Sequence, residues 1–113
     1  MTPKRVDQNQ REIVEALRAV GAAVQILSDV GHGCPDLLVG YGRSHTNYLL
    51  EVKMPGAPLT ADEIRWHQNW PGQIAVVQSP EEALMIIRFK QPFGGARKRR
   101  GAEALSDEEM GLD

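Results

Sequence analysis

The 113-residue sequence holds a single cysteine, which excludes an internal disulfide framework and a cysteine-based zinc site. It has no apolar run approaching the roughly 20 residues that a membrane-crossing helix needs, and its first residues lack the apolar core of a secretory signal. No internal repeat is visible. A cytoplasmic protein without a membrane partner is the expectation. A large excess of charge of either sign is missing too: 13 basic and 15 acidic residues give a net charge of −2. The balance is unevenly laid out, however. Arg97, Lys98, Arg99 and Arg100 stand together, and an acidic end follows at Glu103, Asp107, Glu108, Glu109 and Asp113. The remainder is close to neutral, so net charge does not decide for or against a nucleic-acid partner. A site built from carboxylates would itself carry negative charge that a bound cation offsets.

The length suits one domain, and an apolar fraction of 42% with 25% charged residues is ordinary for a globular chain. Asp7 with Gln10 resembles a capping box, so a first helix is expected from about Asp7 to the break at Gly21, with Ile13, Val14, Leu17 and Val20 as its apolar stripe. Ala22 to Leu27 reads as a strand. Two further strands flank a polar loop: Pro35 to Tyr41, and Asn47 to Lys53. Thr60 with Glu63 is a capping box for a second helix over residues 61–69, stopped by Pro71-Gly72. Ile74 to Val77 does not alternate and reads as a strand buried on both faces. Ser79-Pro80-Glu81-Glu82 opens a third helix whose Ala83, Leu84, Ile86 and Ile87 face the sheet. Residues 91–113 show no sustained period and read as a flexible charged tail after a domain over residues 1–90.

The informative stretch is the hairpin. A loop centred between Ser44 and His45 sets Asp36 opposite Lys53, and Glu51, two residues before Lys53, shares its face. Two carboxylates and an ammonium then gather at one end of a strand pair. Charges in such a place are costly unless paired or bound to a metal, so they form a candidate site for divalent-metal chemistry. Leu37, Val39, Leu50 and Val52 make one face of the pair apolar, and Leu38 and Leu49 the other. A sheet apolar on both faces must be covered on both, which implies an α/β/α sandwich of three layers.

Pro35-Asp36 followed by Glu51-Val52-Lys53 resembles the signature of the PD-(D/E)XK nucleases. Gly33-Cys34-Pro35-Asp36-Leu37-Leu38 looks most like the VRR-NUC branch, as do Lys53-Met54-Pro55-Gly56, Leu59-Thr60, Trp66-His67 and Ile74 to Val77 before Glu82-Ala83-Leu84. The similarity covers roughly residues 8–88. It implies a restriction-endonuclease-like fold of order α-β-β-β-α-β-α with a mixed central sheet, and a Mg²⁺- or Mn²⁺-dependent endonuclease acting on DNA, with branched or four-way (Holliday) junctions as the favoured substrate. It also implies Asp36, Glu51 and the backbone carbonyl of Val52 as metal ligands, Lys53 as the group that orients the attacking water or steadies charge on phosphate, a homodimer, and no organic cofactor. Many relatives carry a glutamate early in the first helix; here Gln8 falls at that place, while Gln10 matches a glutamine often found there and is a further candidate. A non-catalytic DNA-binding or assembly protein and an RNA-processing nuclease are the alternatives on the same fold.

Outside the hairpin, the plainer readings weigh more. Cys34 suits a small buried position, and His67 a packing position. Trp66 and Trp70 stand four apart on one helix face, which favours core packing over base stacking. His32 and Arg43 in loops, and Arg97, Lys98, Arg99 and Arg100 in the tail, are candidate phosphate contacts.

Overall fold

The periodicities above become seven elements in the expected order. In the computed structural model, which describes residues 5–42 and 45–89, they are α1 (Arg5–Ala19), β1 (Ala23–Ile26), β2 (Leu37–Tyr41), β3 (Thr46–Val52), α2 (Ala61–Asn69), β4 (Ala75–Val77) and α3 (Pro80–Phe89). The strands form one sheet in the order β1-β2-β3-β4. The first three run antiparallel, and β4 lies parallel to β3, so α2 serves as the crossover that a parallel pair requires. No helix among the described residues is long and apolar enough to cross a membrane. The tail over residues 91–113, with Arg97, Lys98, Arg99 and Arg100, lies outside the described residues, as does Arg43.

Helix α1 begins at Arg5, so Asp7 sits within its first turn instead of capping it. A carboxylate is favoured by the helix dipole at either place, which is why the sequence does not separate them. The other end is as expected. Gly21 takes φ +93°, its N–H donates to the Arg18 carbonyl, and the Ala22 N–H reaches back to Leu17. That Schellman arrangement turns the chain sharply into β1. Thr60 caps α2 through the full reciprocal box with Glu63. Ser79 Oγ accepts from the Glu82 N–H, but the Glu82 carboxylate accepts from the N–H of Gln78 rather than from that of Ser79, one residue further back than a strict box.

The hairpin register differs from the expectation by two residues. Leu37 pairs with Leu50 and Tyr41 with Thr46, which sets Asp36 across from Glu51 instead of Lys53. A shift of two preserves the side-chain alternation, so the assignment of faces stands. One face packs Leu37, Val39, Tyr48, Leu50, Val52 and Val77 against Ile13, Val14 and Leu17 of α1 and Ala83 and Ile87 of α3. Lys53 reaches Glu63, which puts α2 over the opposite face and gives the three layers. That second layer is thin: α2 buries no residue. Val76 is accordingly 43% exposed and Leu38 37%, so β4 is covered on one face only. The lack of alternation in residues 74–77 does not distinguish a buried strand from one whose outer face is lightly roofed. Gln73 extends the sheet with its side chain: its amide accepts from the Leu49 N–H at 2.7 Å and donates to the Leu49 carbonyl at 3.2 Å.

Candidate active site

The site forms where the β2 ladder runs out. Continuing the register past Leu37 brings Pro35 beside Val52, and proline has no N–H to exchange. The Asp36 side chain fills the gap, its Oδ2 accepting from the Val52 N–H at 2.8 Å. The Asp36 backbone carbonyl meanwhile accepts from the N–H of Leu27, just past β1, at 2.7 Å, so the residue is held from both sides. The sequence Pro-Asp thus limits the ladder at the N-terminal end of β2 and aims a carboxylate in one step.

Glu51, across from Asp36, is 2% exposed. Burial is the first reason its carboxyl is pushed up to about 9; the hydrogen bond with Asp36 and the charges of Asp36 and Glu63 add to it, and Lys53 opposes them. Its Oε1 is buried with no hydrogen-bond partner. A fully ionised carboxylate in that place has no ion-pair partner within reach among the described residues. Lys53 shares the face but does not serve as one: the ammonium lies 2.7 Å from Glu63 at the start of α2. Glu63 also accepts from the Thr60 N–H at 2.8 Å. Burial alone would raise the Glu63 carboxyl, but the bonds from Lys53 and Thr60 outweigh it and hold the group below its ordinary range.

The first helix reaches the cluster in two ways, one of them expected. Gln10 donates to Ser28 Oγ at 3.2 Å, and Ser28 donates to Asp36 Oδ1 at 3.4 Å, so Gln10 connects to the carboxylate through a hydroxyl. Gln8 points elsewhere and bonds Glu12 on the exposed side of α1. Asn9 was not singled out by the sequence. Its amide donates to the Gln78 carbonyl at 3.1 Å and to the Lys53 carbonyl at 3.5 Å, tying α1 to the ends of β3 and β4. Cys34 is half-buried, and its thiol is pushed up by burial and by the charges of Glu51 and Asp36, which marks it as a neighbour of the cluster. No sequence signal separated Asn9 or Ser28 from ordinary polar positions, and Glu63 was legible only as the capping partner of Thr60, because each is brought to the site by tertiary contact.

The other described candidates form no hydrogen bond or ion pair with Asp36, Glu51 or Lys53. His32 is exposed, with φ +57°, and lines a cavity against α2. His67 is half-buried, edge-on to Trp66, with its Nε2 buried and unpartnered among the described residues. Trp66 and Trp70 stack on each other at 4.7 Å between centroids, but on the surface of α2 and not in the core.

Two carboxylate oxygen donors at one strand end fit a hard divalent cation such as Mg²⁺ or Mn²⁺, and the partnerless Oε1 of Glu51 is the atom such an ion would satisfy. Among the described residues there is no group of three or more His, Cys, Asp or Glu side chains arranged to hold a metal ion. A two-carboxylate set is sufficient for Mg²⁺, which retains waters and binds substrate phosphate.

The chain is similar to a solved VRR_NUC domain, with a TM-score of 0.64 and 26% identity over 77% of this chain and 98% of that one. No family model matches the sequence, and no curated protein does. The likeness supports a nuclease of the PD-(D/E)XK type, a group that generally uses divalent metals.

Proposed function

We propose that this chain, which its likeness to the VRR_NUC domain assigns to the VRR-NUC family, is a metal-dependent endonuclease that hydrolyses phosphodiester bonds of DNA and prefers branched substrates. The observation that carries the reading is the buried Glu51 carboxyl set against Asp36, one oxygen unpartnered, with Lys53 on the same face. Asp36, Glu51 and the Val52 carbonyl would hold Mg²⁺ or Mn²⁺. When bound, the ion supplies a Lewis acid for the scissile phosphate and lowers the pKa of an attacking water.

The chain's own residues do the rest. Asp36 is kept in place by the Val52 N–H and by Ser28, so its free lone pairs keep a fixed direction. Gln10, acting through Ser28, positions Asp36 from the first helix without adding negative charge. Lys53 has two acceptors to choose between, Glu63 and an incoming phosphate oxygen. Transfer of its hydrogen bond to phosphate places a positive charge where charge develops in the reaction.

A domain with one such cluster makes one cut per encounter. Symmetric cutting of a four-way junction needs two clusters related as the substrate arms are, and a two-fold homodimer supplies them. The basic run Arg97–Arg100 would add contacts to the phosphate backbone.

The test is Mg²⁺-dependent cleavage of labelled four-way, linear duplex and RNA substrates by the wild type and by Glu51→Ala, with light scattering on the same preparations. Junction cutting by a dimer that Glu51→Ala abolishes is the expected result. Cleavage by Glu51→Ala at the wild-type rate would overturn the site. Tight junction binding with no cleavage in either metal would favour the non-catalytic reading, for which the amide in place of a helix carboxylate is the motive. Equal cutting of linear duplex by a monomer would overturn the branched-substrate and dimer parts.

A further inference from the structure

Trp66 and Trp70 are the chain's two tryptophans, and they are absorbed neither by the core nor by the carboxylate site. Large aromatic side chains ordinarily bury their area in a core, yet Trp70 is 41% exposed and α2 contributes no buried residue. The pair is nonetheless held in place. Trp70 donates its indole N–H to the Gln73 carbonyl at 3.1 Å, and a Cβ on Gly72 would stand 2.9 Å from the same nitrogen, so the ring packs directly on the Gly72 backbone. Trp66 stacks on Trp70 at an interplanar angle of 26°. A fixed, partly exposed two-ring stack is pre-organised for a third flat ring.

The surroundings specify which kind of ring. The rings open on a cavity of about 550 Å³ completed by His32, Asp62, Arg65 and Asn69. That volume falls within the ordinary range of small-molecule sites, roughly 300–1,000 Å³. A carboxylate, an amide and an imidazole around an aromatic floor match the donor and acceptor edge of a nucleobase, and Arg65, paired with Asp62, offers a flat cation for stacking or for phosphate. The cavity also adjoins the candidate active site. Asp62 is followed by Glu63, the partner of Lys53. The Asp62 carbonyl packs on Gly33, two residues before Pro35, so closely that a Cβ there would lie at 2.3 Å.

We infer that this cavity receives one unpaired nucleobase of the DNA substrate, stacked on the Trp66–Trp70 pair, next to the strand being cut. The inference deepens the nuclease reading and rests on it. A base within a blunt duplex is stacked on its neighbours and does not enter; a base at a branch point or in a single strand does. The pocket therefore selects for branched or frayed DNA through its bases, independently of any two-fold symmetry.

Because both tryptophans line the cavity, intrinsic fluorescence reads it directly. With metal chelated, the full chain is titrated with a short single-stranded oligonucleotide, a four-way junction and a blunt duplex of the same sequence, following tryptophan emission and the anisotropy of end-labelled DNA together. Saturable quenching by the single strand and the junction, and not by the duplex, is expected. Trp70→Leu, with folding checked by circular dichroism, weakens single-strand binding by about tenfold, the loss of one base–aromatic stack, and leaves duplex binding unchanged. Asn69→Ala, which keeps both rings, weakens it less and without loss of quenching. Junction binding by anisotropy with unaltered emission, or equal quenching by the blunt duplex, overturns the pocket while leaving the nuclease reading intact. Emission that changes with protein concentration before any DNA is added assigns the surface to a second copy of the chain and likewise overturns it. No binding to any of the three DNAs overturns both.

Discussion

Glu51→Gln isolates the charge at the centre of the cluster while keeping the shape of the side chain. In the wild type the carboxyl is pushed from its ordinary value of 4.5 up to about 9, first by burial and then by the hydrogen bond with Asp36 and the charges of Asp36 and Glu63. The folded state therefore holds the proton more tightly than the unfolded chain does. Below about pH 4.5 both states are protonated and the full contribution to stability is present; it is lost as pH rises toward 9, where the folded form finally ionises. At about 1.4 kcal/mol per pKa unit, the loss is on the order of 3 kcal/mol at pH 7 and 6 kcal/mol above pH 9 in metal-free protein. Glutamine does not ionise, so the variant loses none of this. Urea unfolding in EDTA at pH 5, 7 and 9 is the assay. The wild type weakens steadily along the series, and Glu51→Gln changes far less and overtakes it by pH 9. Adding Mg²⁺ at neutral pH then raises the midpoint of the wild type and not of the variant, because binding to the folded state alone stabilises by mass action. A wild-type midpoint in EDTA that is level between pH 5 and 9, or matches that of Glu51→Gln throughout, would refute the argument that Glu51 is an uncompensated buried acid.

Asp36→Ala removes the acceptor of the Val52 N–H, at a cost of about 1–2 kcal/mol, but also relieves the charge facing Glu51; cleavage is abolished while the melting temperature stays within a few degrees, and a large thermal loss would reassign Asp36 to structure. Glu63→Gln keeps an oxygen for the Thr60 cap but removes the anion that holds Lys53, so metal-free DNA affinity rises in binding titrations; unchanged affinity would show that Lys53 is not released. Gly33→Ala places a Cβ 2.3 Å from the Asp62 carbonyl at a φ of +84°, costing roughly 2–4 kcal/mol in chemical denaturation by strain and overpacking combined, and a loss under 1 kcal/mol would contradict the close approach of α2. Deleting residues 91–113 leaves a folded domain whose DNA affinity is lower and less salt-sensitive; an unaltered salt slope would remove Arg97–Arg100 from the contact surface.

Much of this architecture is local, and local physics is legible in a sequence. Gly21 ends α1 because the left-handed turn of a Schellman motif suits a residue without a Cβ, and Thr60 starts α2 because its hydroxyl and the Glu63 carboxylate satisfy each other's backbone donors. Period-two alternation put Leu37, Val39, Leu50 and Val52 on one face, and an error of two residues in register could not disturb that. The same parity keeps Asp36, Glu51 and Lys53 on one side of the pair whether Asp36 faces Lys53 or, as in the structure, Glu51.

Distances across the fold were a different matter. The sequence between the two strands does not state where their pairing begins, so only the tertiary structure put Asp36 against Glu51 and left Lys53 to Glu63. Asn9 and Ser28 became part of the site by packing of α1 against the ends of β3 and β4 and of the turn after β1 against Asp36, through contacts 8 to 69 residues apart in the chain with no periodic trace. The tryptophan spacing on α2 was legible, but whether that face met a core or water depended on how closely a short helix could approach the sheet. Gly33 lets the start of α2 come close, yet no residue of the helix is fully buried, so Trp70 at its end stays partly in solvent. The sequence by itself determined the elements, their faces and the types of residue at the hairpin end, because propensity, capping and alternation act between near neighbours. The tertiary structure alone decided which charges face each other and which rings stay open, because those depend on packing between segments that the chain order does not place side by side.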